Sequence, residues 1–296
     1  MNEPQSLQGV YLRLAMVPAI WGGTFIAGRV LALALPPTVG ALLRFAVACL
    51  ALLVAAFALE GGLPRLDRRQ LMATLALGAT GVLAYNLLFL GALSRLPASR
   101  TSLIVALNPA VTIAAASFLF GERLSPWRWT GVALSLIGVW IVVTRGQPLA
   151  AAGEALGAGE WMMFGAICAW AAYTLIGRSV LAGLTPLAAT TWAALFGTAM
   201  LLVVAAPDLG QVERSAVTPG VLAAVAYLGL LGTGLAFVWY YRALQVLGPS
   251  RTVIFNNLVP VFGAGFGVGL LGEPLTASML LGGAIALTGV MMVTRG

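Results

Sequence analysis

The sequence predicts an all-α polytopic membrane protein of ten transmembrane helices, arranged as two inverted five-helix repeats. Three observations lead there. Hydrophobic residues make up 60% of the 296-residue chain and charged residues 8%, too little polar surface to cover a water-soluble globule of this size. Apolar windows of about 20 residues, long enough to cross a hydrocarbon core, recur along nearly the whole chain with short connections between them. Finally, the chain matches itself when shifted by 151 residues.

The spans are read in order at 11–32, 37–59, 70–93, 98–120, 126–144, 159–181, 185–206, 216–241, 250–271 and 275–294. Runs of this length without period-2 alternation favour helices over a barrel, because in lipid the backbone must satisfy its own polar groups. Span 1 is too long for a signal-peptide core and has no convincing cleavage site, so it is read as a permanent helix. It carries Trp21 and Thr24 near mid-depth. Span 3 places Tyr85, Asn86 and Phe89 well inside the membrane. Span 4 contains Asn108 and Pro109 in the run NPAVTIAAASFLFGERLS. Span 6 carries Trp170 and Tyr173, and span 8 carries Trp239 and Tyr240. Span 9 holds Asn256, Asn257 and Pro260, followed by Gly263, Gly265, Gly267 and Gly269, read as a small-residue packing face.

The 151-residue shift brings Leu107, Pro109, Leu119, Gly121, Glu122, Gly131 and Gly138 onto Leu258, Pro260, Leu270, Gly272, Glu273, Gly282 and Gly289. WGGTFIAGR at Trp21 to Arg29 answers WAAYTLIGR at Trp170 to Arg178. The expected organisation is a first repeat at 1–146, a linker at 147–158 and a second repeat at 159–296. Five is an odd number, so two tandem copies cross the membrane in opposite senses. Exchanging two packings of such a unit exchanges which side is open, the physical basis of alternating access.

All sixteen basic residues are Arg, and the net charge is +7. The arginines are dispersed over loops rather than gathered in a stripe, so nucleic acid is not expected as a partner. With ten spans, Arg13, Arg65, Arg68, Arg69, Arg123, Arg128, Arg242, Arg251 and Arg295 share a face with both termini. Arg95, Arg100, Arg145 and Arg214 lie opposite. The positive-inside rule then places both termini in the cytoplasm.

The doubled five-helix unit, Trp-Gly or Trp-Ala in the first helix of each half, Asn/Val-Pro in the fourth and Gly-Glu at its end resemble the EamA-type transporters of the drug/metabolite transporter superfamily. The resemblance covers essentially the whole chain and is greatest to bacterial exporters of amino acids, aromatic amino acids and related metabolites. It implies a basket-like bundle around a central cavity built from spans 1, 3, 4, 6, 8 and 9, with spans 5 and 10 at the periphery, in the bacterial inner membrane. Val259 stands where the first repeat has Asn108, so that amide is not duplicated; Asn256 and Asn257 lie nearby.

The candidate substrate-binding residues are Trp21, Thr24, Tyr85, Asn86, Phe89, Asn108, Trp170, Tyr173, Trp239, Tyr240, Asn256 and Asn257. For the aromatic residues the alternative is an interfacial belt or ordinary core. For the amides it is hydrogen bonding that holds the bundle together. Trp21 and Trp170 stand out because they are equivalent in the two halves. Pro109 and Pro260 remove a helix donor and are candidate hinges, with a plain kink as the alternative. Arg29, Arg44 and Arg178 are within or at the ends of spans, where they either attract a carboxylate or snorkel to headgroups. Glu122 and Glu273 end helices where the dipole disfavours negative charge, so each is expected to have a specific partner.

No His is present, and the two cysteines, Cys49 and Cys168, form no CxxC pair. Neither a metal site, a cofactor nor a disulfide framework is expected. No nucleophile–base pair or carboxylate cluster points to an enzyme. All nine carboxylates fall at span ends or in loops, leaving no mid-depth group to carry protons. A facilitative carrier or exchanger, or one coupled weakly through the rim acids, is therefore expected; its substrates are expected to be amino acids and related small metabolites, and its working unit the monomer. A carrier of drugs or nucleotide-sugar-like metabolites, and a channel, are the alternatives.

Overall fold

The computed structural model describes residues 7–121, 124–146, 156–180, 183–247 and 254–295, except the side chains at 120, 178–180, 241, 242, 244, 245, 254 and 295. Glu122, Arg123, Arg251, most of the expected linker and the side chains of Arg178 and Arg242 therefore lie outside the described residues. Among the described residues the chain is all-helical, with no strand. The described residues form ten long helices, α1 (Leu7–Ala34), α2 (Pro37–Glu60), α3 (Arg68–Leu93), α4 (98–120), α5 (Pro126–Val143), α6 (Ala158–Val180), α7 (Pro186–Leu209), α8 (219–247), α9 (254–271) and α10 (Ala277–Arg295). Eight are at least 18 residues long and apolar enough to cross a membrane. The 23-residue α6 and the apolar stretch Phe255–Leu271 of α9 complete the set. The largest departure from the expected boundaries is α8, which continues past 241 to Leu247.

Local chemistry starts these helices. Asp67 and Gln70 form a reciprocal capping box at the head of α3, satisfying two orphan donors at once. Ser125, Thr185 and Thr218 cap α5, α7 and α8, each followed by a proline in the first turn, where no amide donor is needed. Gly121 and Gly272 end α4 and α9 in the left-handed conformation, with φ of 67° and 65°. These two glycines are equivalent in the two repeats, and only glycine adopts that conformation without steric cost.

The contacts between the repeats come in corresponding pairs. The pair α1–α9 is answered by α6–α4, α3–α6 by α8–α1, and α3–α7 by α8–α2. The pairs α2–α7, α4–α9 and α5–α10 map onto themselves. Inversion is visible directly. Thr38 at the start of α2 donates to Asp208 at the end of α7 at 2.5 Å, while Thr185 before α7 donates to Glu60 at the end of α2 at 2.7 Å. These helices are antiparallel, and between them the equivalent residues Cys49 and Thr198 meet at 3.2 Å, on the pseudo-two-fold axis.

The outward faces are apolar. Val54, Phe57, Phe118, Val203, Leu280 and Leu281 are exposed, a surface that suits lipid and would aggregate in water. One expectation is corrected here. Gly263, Gly265, Gly267 and Gly269 do not share a face: Gly263 and Gly267 are buried against α4, whereas a side chain added at Gly265 or Gly269 would meet nothing within 4 Å. Steps of two residues turn about 200° around a helix, so alternate glycines fall on opposite sides.

Candidate functional site

Two equivalent irregularities shape the bundle interior. α3 widens into a π-helical segment at Gly78–Ala84, and α8 does so at Tyr227–Leu235. A π segment misaligns carbonyls with their helical donors, and such segments concentrate at functional sites. Here the loosened carbonyls are taken by the candidate residues. The Trp21 indole N–H of α1 donates to Gly232 O at 3.0 Å. The Asn86 amide donates to Gly81 O at 3.2 Å and Val82 O at 2.9 Å. Gly81 and Gly232 are equivalent, and both are pressed by the neighbouring repeat: Gly81 by the Tyr173 ring of α6, Gly232 by the Thr24 methyl of α1.

Aromatic side chains extend from these contacts. Tyr85 stacks on Phe89 at 5.5 Å and tilts against Trp170 at 5.1 Å, and Trp170 meets Tyr173 at 5.3 Å. Phe25 reaches Phe89 edge-on at 5.4 Å. In the other repeat pairing, Trp21 packs on Tyr240 at 5.3 Å and Phe237 at 5.8 Å. The two equivalent tryptophans thus each clasp a helix of the opposite repeat. Trp21, Tyr85, Trp170, Tyr173 and Tyr240 keep part of their surface exposed, whereas Phe89, Asn86 and Thr24 are buried. Trp239 is half-buried and joins none of these ring contacts, because it lies around the helix from Phe237 and Tyr240.

The second pair of irregularities lies in α4 and α9. The α-helical turns of α4 break at Ala106 and Leu107, whose N–H groups reach back only three residues, to Leu103 O and Ile104 O. In α9 the turn Ile254–Leu258 is 3₁₀-helical. Pro109 and Pro260 then stand in the first turn of the helices that follow, positions where a missing donor costs nothing. The prolines thus mark interruptions already present rather than kinks within continuous helices. Asn108, Asn256 and Asn257 sit at these breaks, and each has a buried amide oxygen without a protein partner. Asn256 also donates to the Tyr240 hydroxyl at 3.3 Å. Unpaired buried acceptors are costly.

The α4–α9 pair is closed on the side away from the termini. The Glu273 carboxylate accepts from Ala98 N at 2.7 Å and Ser99 N at 2.8 Å, placing its charge on the positive end of α4. This is the partner expected for Glu273. On the same side Arg100 pairs with Glu160 at 2.9 Å and donates to Val143 O, joining α4, α6 and the end of α5. Arg29 donates to Leu93 O at the end of α3. Sequence reasoning missed Phe25, Phe237, Gly81 and Gly232. The signal was available in the alignment of LGATGVLAYN with LGLLGTGLAF, which pairs Gly78 with Gly229 and Gly81 with Gly232.

The model of the EamA-like transporter family matches twice, over residues 9–144 and 157–295. An uncharacterized transporter of Bacillus subtilis, YyaM, is 26% identical, with 95% of this chain and 92% of that one covered. A probable terminal-alkyne amino-acid exporter of Streptantibioticus cattleyicolor is 29% identical over 85% of this chain and 82% of the exporter. A probable amino-acid metabolite efflux pump of Salmonella typhimurium is 26% identical over 95% and 93%. Two five-helix halves, each matching the family model, make this multi-pass membrane protein a member of the EamA-like transporter family.

Proposed function

We propose that the protein carries amino acids and related small metabolites across the bacterial inner membrane by alternating access, as a facilitative carrier or exporter rather than an enzyme. Both termini lie in the cytoplasm and the monomer is the working unit. The observation that carries this reading is an aromatic wall of partly exposed rings, Trp21 against Tyr240 and Trp170 against Tyr85 and Tyr173, supplied by both repeats. Such rings suit an amphipathic solute. The unpartnered amide oxygens of Asn108, Asn256 and Asn257 are acceptors for its polar end. The breaks beside Pro109 and Pro260 are the hinges. One relative is named a probable terminal-alkyne amino-acid exporter and another a probable amino-acid metabolite efflux pump, which supports the substrate class. Among the described residues every carboxylate lies in a loop or at a helix end, which favours transport without proton coupling.

Counterflow in proteoliposomes across a panel of amino acids tests the reading. A subset, with aromatic and branched side chains foremost, is expected to exchange; a flat response across the panel overturns the assignment. In the same assay Trp21→Ala and Trp170→Ala are each expected to lower exchange by about tenfold, the loss of a stacking contact plus its area. Unchanged exchange in both returns these rings to the core.

A further inference from the structure

Arg44 is the eighth residue of α2, roughly 10 Å along the helix from its start at 1.5 Å per residue. It is 8% exposed, so it does not snorkel to the surface. Its guanidinium instead turns inward and donates to the Asn86 side-chain oxygen at 2.8 Å, with its Nε buried and unpartnered. Its charged end also lies 5.3 Å from the centre of the Phe45 ring. Among the described residues no carboxylate answers this charge, and the ion pair they form, Arg100–Glu160, lies elsewhere in the bundle. A buried charge with a neutral partner is among the most costly groups a membrane protein holds, and where it occurs it marks function.

We infer that Arg44 is the counter-charge for a substrate carboxylate, held in place by Asn86 at the edge of the aromatic wall. This inference rests on the amino-acid reading above and names the group that selects the substrate. The geometry is prepared in three respects. Asn86 commits its amide nitrogen to Gly81 O and Val82 O, which fixes its oxygen toward Arg44. Tyr85, next in sequence to Asn86, has its ring against Trp170. A carboxylate reaching Arg44 thus belongs to a solute whose apolar part lies against the rings. A guanidinium offers a planar fork that matches a carboxylate.

The repeats supply a control. Aligned through Pro37 and Pro186, the counterpart of Arg44 in α7 is Ala193, and the counterpart of Asn86 in α8 is Phe237. The surrounding backbone contacts are duplicated, Gly78 against Ala193 O and Gly229 against Arg44 O. A group needed only to pack the scaffold is wanted in both copies. A group that reads one end of an asymmetric solute is wanted in one.

The test uses the purified full-length protein and binding read by ligand-induced thermal shift and tryptophan fluorescence, with L-phenylalanine, L-phenylalaninamide and 3-phenylpropionate as probes. Wild type is expected to bind phenylalanine about tenfold or more tighter than its amide, the worth of a charged hydrogen bond. Arg44→Gln is expected to bring that ratio near one. Asn86→Asp gives Arg44 a carboxylate of its own; it is expected to abolish the preference while the Tm stays at or above that of wild type. Retention of the preference in Asn86→Asp, or in a folded Arg44→Gln, overturns the inference. Equal binding of acid and amide by wild type overturns the carboxylate site and leaves the amino-acid reading standing. Arg44-dependent binding of 3-phenylpropionate as tight as that of phenylalanine supports the site and overturns the amino-acid reading; binding of none of the three overturns both.

Discussion

The helix pairs α5–α10 and α4–α9 both map onto themselves under the same pseudo-two-fold operation, yet they are built in opposite ways. α5 and α10 are unbroken and touch backbone to backbone: a methyl group on Gly282 or Gly289 would stand 2.6 Å from the carbonyl oxygen of Gly138 or Gly131. α4 and α9 are each interrupted, and their close packing involves the half of each helix away from the termini, through Gly263, Gly267 and the Glu273 clasp. A seam that holds along its whole length joins the repeats. A seam broken in the middle divides into parts that can move separately, which a gate requires.

The largest expected effect comes from opening the continuous seam. Gly282→Leu puts a side chain where Gly138 O and Val142 already stand. Because backbone cannot yield as a side-chain tip can, the cost is expected to be about 3 kcal/mol or more. Yield of monodisperse protein and its Tm should collapse, and second-site repair should not come from α4 or α9. A normal Tm would mean that α5–α10 is as adaptable as α4–α9, and the contrast would fail.

A smaller effect is expected at the clasp. Glu273→Gln removes the charge from bonds to Ala98 N and Ser99 N, worth about 1–2 kcal/mol. Stability should change little, while the population opened on the side away from the termini should rise about tenfold. Labelling of Ser102→Cys by an impermeant maleimide, with Cys49 and Cys168 replaced by Ser, reads this opening, since Ser102 is buried against Gly263. An unchanged labelling rate would show that the seam is held by its glycines alone.

Much of this contrast was readable in the sequence. Composition and window length placed the spans, and the 151-residue shift paired Gly131 and Gly138 with Gly282 and Gly289 before any packing was known. The need for a partner at Glu273 followed from the helix dipole. Three things were not readable, for physical reasons. A π segment changes hydrogen-bond register without changing composition, so α3 and α8 read as ordinary helices. Arg44 lies in a helix that is apolar almost all round, so nothing in α2 shows which way it faces, and its proximity to a helix end suggested snorkelling. The same limit hid the destination of Glu273, since the partner is backbone on a helix 174 residues away in sequence.

The finest discrimination comes from comparing four glycines of one helix. Gly263→Ala would place a Cβ 2.5 Å from Ser102 Cβ, and Gly267→Ala 2.9 Å from Ser99 N; Gly265 and Gly269 face open space. Overpacking is expected to cost about 1–3 kcal/mol at the first two positions. At the second two, alanine lowers the conformational entropy lost on folding and is expected to stabilise by about 1 kcal/mol or less. Paired Tm measurements give the sign at each position. Opposite signs along a helix with glycine at every second residue mean that one face meets α4 and the other does not. Equal signs at all four positions would mean that α9 rotates about its axis in the membrane, and the closed half of the α4–α9 seam would then be one of several packings.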